Sequence, residues 1–145
     1  MKRAFLYIIA AVSLLTTSCE LEHSGNGKLD GMWHIMQIEN LTTTEVQDLS
    51  QVRLYWEFQG KLMQVEDRDY QYERCLLRFE HSGNTLRVYD PYRYDRENGD
   101  EPLTEPTLLL PYGISQIEET FEVEHLGDKH FVLKSPTLRI RLKRF

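Results

Sequence analysis

The chain has 145 residues, 41% of them apolar, with 23 acidic against 17 basic side chains. That length supports one domain with a single modest core and is too short for two. The negative balance argues against a nucleic-acid binder, which needs a basic stripe for the phosphates, and 16 aromatic residues are too many for a disordered acidic tail.

Met1-Lys2-Arg3 is a short positive segment, Ala4 to Leu15 is an apolar run broken only by Ser13, and Thr16-Thr17-Ser18-Cys19 closes it with small residues. As a helix, the twelve-residue run covers about 18 Å, short of the ~30 Å hydrocarbon core, so a secretory signal is expected rather than a transmembrane anchor. The segment resembles a bacterial lipoprotein signal. The resemblance implies cleavage after Ser18 and lipid attachment at Cys19, hence a hold on the membrane through acyl chains. The mature chain would then carry 15 basic and 23 acidic groups over 127 residues. Glu20 and Glu22 resemble the acidic tag with which some Gram-negative bacteria export lipoproteins, so an outer-membrane lipoprotein is expected, surface-exposed or on the periplasmic face. Ser24-Gly25-Asn26-Gly27 reads as a flexible tether. The expected organisation is a signal peptide over 1–18, lipidated cysteine and tether over 19–28, and one domain over 29–145. With Cys19 lipidated, Cys75 has no partner for a disulfide and reads as a small hydrophobe in an apolar strand.

From residue 32 onward, alternation with a period of two dominates. Met32 to Glu39 is the first expected strand. Arg53 to Phe58 places Leu54, Trp56 and Phe58 on one face, and Gln59-Gly60 turns the chain into Lys61 to Glu66. Tyr72 to Glu80 aligns Cys75, Leu77 and Phe79, and His81-Ser82-Gly83-Asn84 turns into Thr85 to Asp90. Thr120 to His125 alternates Phe121, Val123 and His125 with Glu122 and Glu124, Leu126-Gly127-Asp128 turns, and Lys129 to Lys134 returns. The last strand, Leu138 to Lys143, alternates Leu138, Ile140 and Leu142 with Arg139, Arg141 and Lys143. Helical turns are expected at Thr42 to Ser50, where Thr42 and Glu45 form a capping-box pattern, and at Ile114 to Glu119. Thr107 to Leu110 reads as a short strand or a buried loop segment.

Strands joined by short turns must be antiparallel. Eight of them with one apolar face each are expected to close into an all-β, eight-stranded up-and-down barrel with one or two short helical turns, which also removes exposed edges; a two-sheet sandwich is the competing arrangement.

Gly31-Met32-Trp33 places a glycine-x-tryptophan at the start of the first strand. This motif, the tail Leu138 to Phe145 and the segment Gly113 to Val123 resemble the lipocalin-like (calycin) domains of bacterial lipoproteins of unknown function. The resemblance implies that Trp33 packs across the closed end of a barrel, with an arginine from the last strand, Arg139 or Arg141, over its ring. Leu138 to Phe145 reads as the last strand, so the helix that follows the barrel in full lipocalins is not expected here.

No pattern for covalent, metal or cofactor chemistry emerges. His23, His34, His81, His125 and His130 show no zinc spacing, and there is no CxxC, nucleophile elbow or phosphate loop, so a non-enzymatic protein is expected. The lead functional expectation is capture of a small apolar or amphipathic ligand inside the barrel. Trp56, Phe58, Phe79, Val88, Phe121 and Phe131 would line it, and Tyr72 and His125 would orient the ligand. The alternative is a filled barrel serving an envelope complex as a protein- or glycan-interaction subunit. It would use Tyr89, Tyr92, Arg93 and Tyr94, which the sequence places at the start of the long proline-containing loop.

Overall fold

The computed structural model describes residues 25–145. The expected signal, Cys19 and the acidic pair Glu20 and Glu22 lie outside the described residues. Ten strands follow a 3-10 turn over Gly27–Leu29: β1 Gly31–Asn40, β2 Val46–Asp48, β3 Leu54–Gln59, β4 Leu62–Asp67, β5 Cys75–Ser82, β6 Thr85–Arg93, β7 Glu101–Pro102, β8 Glu119–Leu126, β9 His130–Lys134 and β10 Leu138–Arg144. Eight form a ring in the order β1-β3-β4-β5-β6-β8-β9-β10, and β10 returns to pair with β1 along Trp33 to Asn40. Every pairing is antiparallel. The sheet therefore closes on itself as an eight-stranded barrel, and the sandwich is excluded. Among the described residues, no helix is long and apolar enough to cross a membrane.

The alternation seen in the sequence decides which side chains enter the lumen. Trp33 and Ile35, Trp56 and Phe58, Met63 and Val65, Leu77 and Phe79, Leu86 and Val88, Phe121, Phe131 and Leu133, and Ile140 and Leu142 are all buried. At one end, the base, the chain enters and the Gln59–Lys61, Ser82–Thr85 and Gly127–Lys129 turns gather. At the other, the mouth, the connections β1–β3, β4–β5 and β6–β8 gather.

The base is closed by the glycine-x-tryptophan motif, but the arginine over the ring is Arg144, not Arg139 or Arg141. Its guanidinium lies 4.2 Å from the Trp33 ring and donates to the carbonyls of Asp30 and Asp128, each at 2.7 Å, and to that of Lys28. Arg144 continues the inward-facing parity of Ile140 and Leu142. Arg139 points outward and binds Glu39 and Glu124 instead. Trp33 Nε1 donates to the Leu29 carbonyl at 2.9 Å. Gly31 has φ +108, and a Cβ there would stand 3.0 Å from Arg144 Nη1, so the glycine of the motif permits both the backbone turn and the passage of the arginine.

Other expectations are corrected. Thr42 to Ser50 is no helix: the Asn40 side chain accepts the N–H groups of Thr42 and Thr43, and the chain reverses so that β2 pairs back onto β1. The helical turn expected over Ile114 to Glu119 does not form: 114–118 is irregular and Glu119 opens β8, and the Glu119 carboxylate accepts the Ser115 N–H at 2.7 Å in competition with a helical turn. The longer 3-10 turn is instead Thr107–Tyr112, so Thr107 to Leu110 is neither strand nor loop. The tether expected over 24–27 is already docked at Asn26, whose Nδ2 donates to Asp30 Oδ1 and to the Gly60 carbonyl, each at 2.7 Å.

Candidate functional site

The lumen contains side chains against side chains. Trp56 meets Phe121 at 5.6 Å and Phe58 at 6.3 Å between ring centroids, Phe58 meets Phe79 at 5.0 Å and Phe131 at 6.3 Å, and Phe131 meets Trp33 at 5.3 Å. These are tilted and edge-on contacts of the kind aromatic quadrupoles favour. Val88 is buried in the same cluster. The six apolar residues expected to line a ligand site thus touch one another. Tyr72 and His125 lie outside the lumen, exposed in the β4–β5 loop and on the outer wall of β8.

At the mouth, the 3-10 turn Thr107–Tyr112 acts as a stopper. Pro106 caps its start and Pro111 lies within it, Leu109 and Tyr112 point inward with no exposed surface, and Ile114 follows them. Trp56 Nε1 donates to the Tyr112 carbonyl at 3.0 Å, and the Tyr112 hydroxyl donates to the Glu73 carbonyl at 2.8 Å. Gly113, with φ +83, ends the turn where a Cβ would stand 2.6 Å from Ile140 Cδ1. Burial pushes the ionisation of Tyr112 and of the Glu119 carboxyl upward.

Around the stopper, loops present aromatic side chains outward. The Asp67 carboxylate is buried and accepts three backbone N–H groups, from Asp69 at 2.8 Å, Gln71 at 2.7 Å and Tyr72 at 3.0 Å. Arg53 grips Asp69 from the neighbouring loop at 2.7 Å, which holds the Asp69 carboxyl below its ordinary range. This scaffold keeps Tyr70 in the left-handed region, φ +58, with 87% of its surface exposed. A bulky residue in that conformation costs about 1–3 kcal/mol, and it persists because its surroundings over-determine it. Tyr72 stands beside it, 48% exposed. The sequence carried one signal for this loop, the closely spaced acids Asp67 and Asp69, but none for the conformation of Tyr70.

The tyrosine–arginine segment is strand rather than loop, since β6 continues past a kink at Asp90, φ +49, to Arg93. Tyr89 lies on the outer wall under Arg87 at 4.0 Å, well below the mouth. Tyr92 is half-exposed and lies opposite Leu76 and Pro102. Arg93 lies between Glu73 at 3.6 Å and Glu101 at 3.7 Å, and Tyr94 packs between Arg74 and Arg96. Tyr92, Arg93 and Tyr94 therefore join the same mouth surface as Tyr70 and Tyr72, while Tyr89 does not.

Cys75 is buried in the lumen, and burial pushes its thiol up to about 12, far from the thiolate needed for nucleophilic chemistry at neutral pH. No cluster of three potential metal ligands occurs among the described residues. His125 and His130 flank the β8–β9 turn on the surface. The Asp95 carboxylate is engaged by the N–H groups of Glu97 and Asn98 and closes a turn.

The lipocalin-like domain family matches residues 13–145. A lipocalin-like protein from Bacteroides uniformis shares the fold with a TM-score of 0.61 at 15% identity, covering 82% of this chain and 100% of its own. An uncharacterized protein from Bacteroides eggerthii does so with a TM-score of 0.59 at 13% identity, covering 81% and 99%. No curated protein matches the sequence. A closed eight-stranded barrel opened by a glycine-x-tryptophan and matched over 13–145 places the chain in the lipocalin-like domain family.

Proposed function

We propose that the protein is a lipid-anchored, non-enzymatic module of the bacterial outer membrane that works through its outer surface, with the mouth loops contacting a protein partner in an envelope complex. The observation that supports this most strongly is the filled lumen. A ligand-binding pocket needs about 300 Å³ or more. Here the inward aromatic residues meet one another at 5.0–6.3 Å and the stopper closes over them, which favours this reading over interior ligand capture. Tyr70, Tyr72 and Tyr92 supply rigid amphipathic contact area beside the fork donors of Arg93, the residue types that dominate binding energy at protein interfaces. The outer-membrane anchor rests on the lipoprotein-like signal and Cys19.

Site-specific photo-crosslinking in the native envelope tests the proposal. A benzophenone side chain at position 70, 72 or 92 is expected to yield one discrete crosslinked protein species, and the same group at Arg141 on the outer wall is expected not to. Equal crosslinking at all positions, or none at the mouth, would overturn it.

A further inference from the structure

The charges of the barrel are sorted by end. The mouth connections 41–53, 67–74 and 94–118 contain 11 acidic and 4 basic side chains. The base segments 25–31, 59–62, 82–85, 127–130 and 143–145 contain 2 acidic and 5 basic ones. Asp30 accepts from Asn26, and Asp128 pairs with Lys28 at 3.5 Å. Lys61, Lys129 and Lys143 are exposed and make no ion pair among the described residues. In a chain with a formal charge of −6, such a pole requires that these cations gather at one end. It is also the end at which the described chain begins. Cys19 lies only six residues before Gly25, so a lipid anchor there would hold the base within about 20 Å of the bilayer surface.

We infer that the base of the barrel docks on anionic lipid headgroups, with Lys61, Lys129 and Lys143 against the phosphates and the acidic, tyrosine-bearing mouth facing away from the membrane. The inference rests on the lipid anchor proposed above for bringing the base to the surface. The interaction itself is electrostatic: a cation near an anionic surface is attracted within about a Debye length, ~8 Å at physiological salt, and the acidic mouth is repelled. A lipid anchor does not by itself set which face of the barrel meets the bilayer, and the polarised charge selects one orientation. That orientation leaves the mouth tyrosines accessible.

The test uses the acylated protein reconstituted into vesicles of neutral phosphatidylcholine, with or without 30% phosphatidylglycerol. Cys75 is buried, so a cysteine introduced at Asn84 in the base or at Glu97 near the mouth can be labelled with a fluorophore selectively, and energy transfer to a headgroup acceptor reads the orientation. With phosphatidylglycerol, transfer from position 84 is expected to rise well above that from position 97. The difference is expected to collapse at 0.5 M salt. Removing three cations together (Lys61→Gln, Lys129→Gln, Lys143→Gln) is expected to lower the ratio of docked to undocked barrels about a hundredfold, roughly fivefold for each cation. All three sites are exposed, and circular dichroism checks that the variant keeps its fold. Transfer from position 84 that ignores anionic lipid, salt and charge removal would overturn the inference. So would stronger transfer from position 97. Flotation with purely neutral vesicles reads the anchor separately, and its absence would refute the anchor.

Discussion

Arg144 closes the base, and its removal is the sharpest test of how the barrel is held together. The side chain donates to three carbonyls belonging to the N-terminal turn and the β8–β9 turn, and it stacks on Trp33. Fully buried, charge-assisted hydrogen bonds contribute about 1.5–3 kcal/mol each. Arg144 is only half-buried, so about 0.5–1 kcal/mol apiece is appropriate, with ~0.5–2 kcal/mol for the ring contact. Arg144→Ala should therefore destabilise the domain by about 2–5 kcal/mol and lower Tm by roughly 8–20 °C. Urea denaturation followed by tryptophan fluorescence measures it. Arg144→Lys keeps the charge but loses the planar fork, and is expected to recover less than half of the loss. A double-mutant cycle with Trp33→Phe should show a coupling of about 0.5–2 kcal/mol. If Arg144→Ala unfolds within 0.5 kcal/mol of the native protein, or lysine substitutes fully, the base is held by something else and this reasoning fails.

Gly113→Ala forces a left-handed residue against Ile140 Cδ1 and should cost about 2–4 kcal/mol, read as a lower Tm, whereas a neutral result would mean that the stopper is loosely seated. Glu119 gives a pH test. Its carboxyl ionises above its ordinary value because burial penalises the charge, so the native state binds its proton more tightly than the unfolded chain does. That contribution is complete below the unfolded value near 4.5 and fades as pH rises through the folded one. Glu119→Gln, which keeps the acceptor for Ser115, should accordingly gain stability relative to the native protein between about pH 4 and pH 7; a gain that shrinks over that range would contradict the assignment. Cys75 should resist a disulfide reagent at pH 8 in the folded protein and react on unfolding in urea, and rapid labelling of the folded protein would show that the lumen opens.

The strands were legible because alternation is a direct record of which face is buried. Leu54, Trp56 and Phe58, or Ile140 and Leu142, have no other reason to recur at a spacing of two. Ring closure followed from three short hairpins and the need to cover every apolar face. The clamp was misread: the resemblance pointed to Arg139 or Arg141, which carry the outward parity of β10, whereas Arg144 continues the inward one and reaches Trp33. The mouth was less legible than the strands. The Asn40 and Glu119 side chains captured backbone N–H groups and replaced two expected helical turns, a local competition that periodicity does not register. Thr107 to Tyr112 has no period at all, and its role as a stopper depends on meeting Trp56, which lies 56 positions away from Tyr112. The outward presentation of Tyr70 depends on Asp67 accepting three N–H groups at once, and only the folded loop brings these together.

Whether the barrel works through its interior or its exterior can be read directly by native mass spectrometry of the protein isolated from its own host. A lumen filled by Trp56, Phe58, Phe79, Phe121 and Phe131 predicts the mass of the polypeptide with whatever is covalently attached to it, unchanged between native and denaturing conditions apart from salt and water. A stoichiometric apolar molecule present in the native spectrum and lost on denaturation would contradict it.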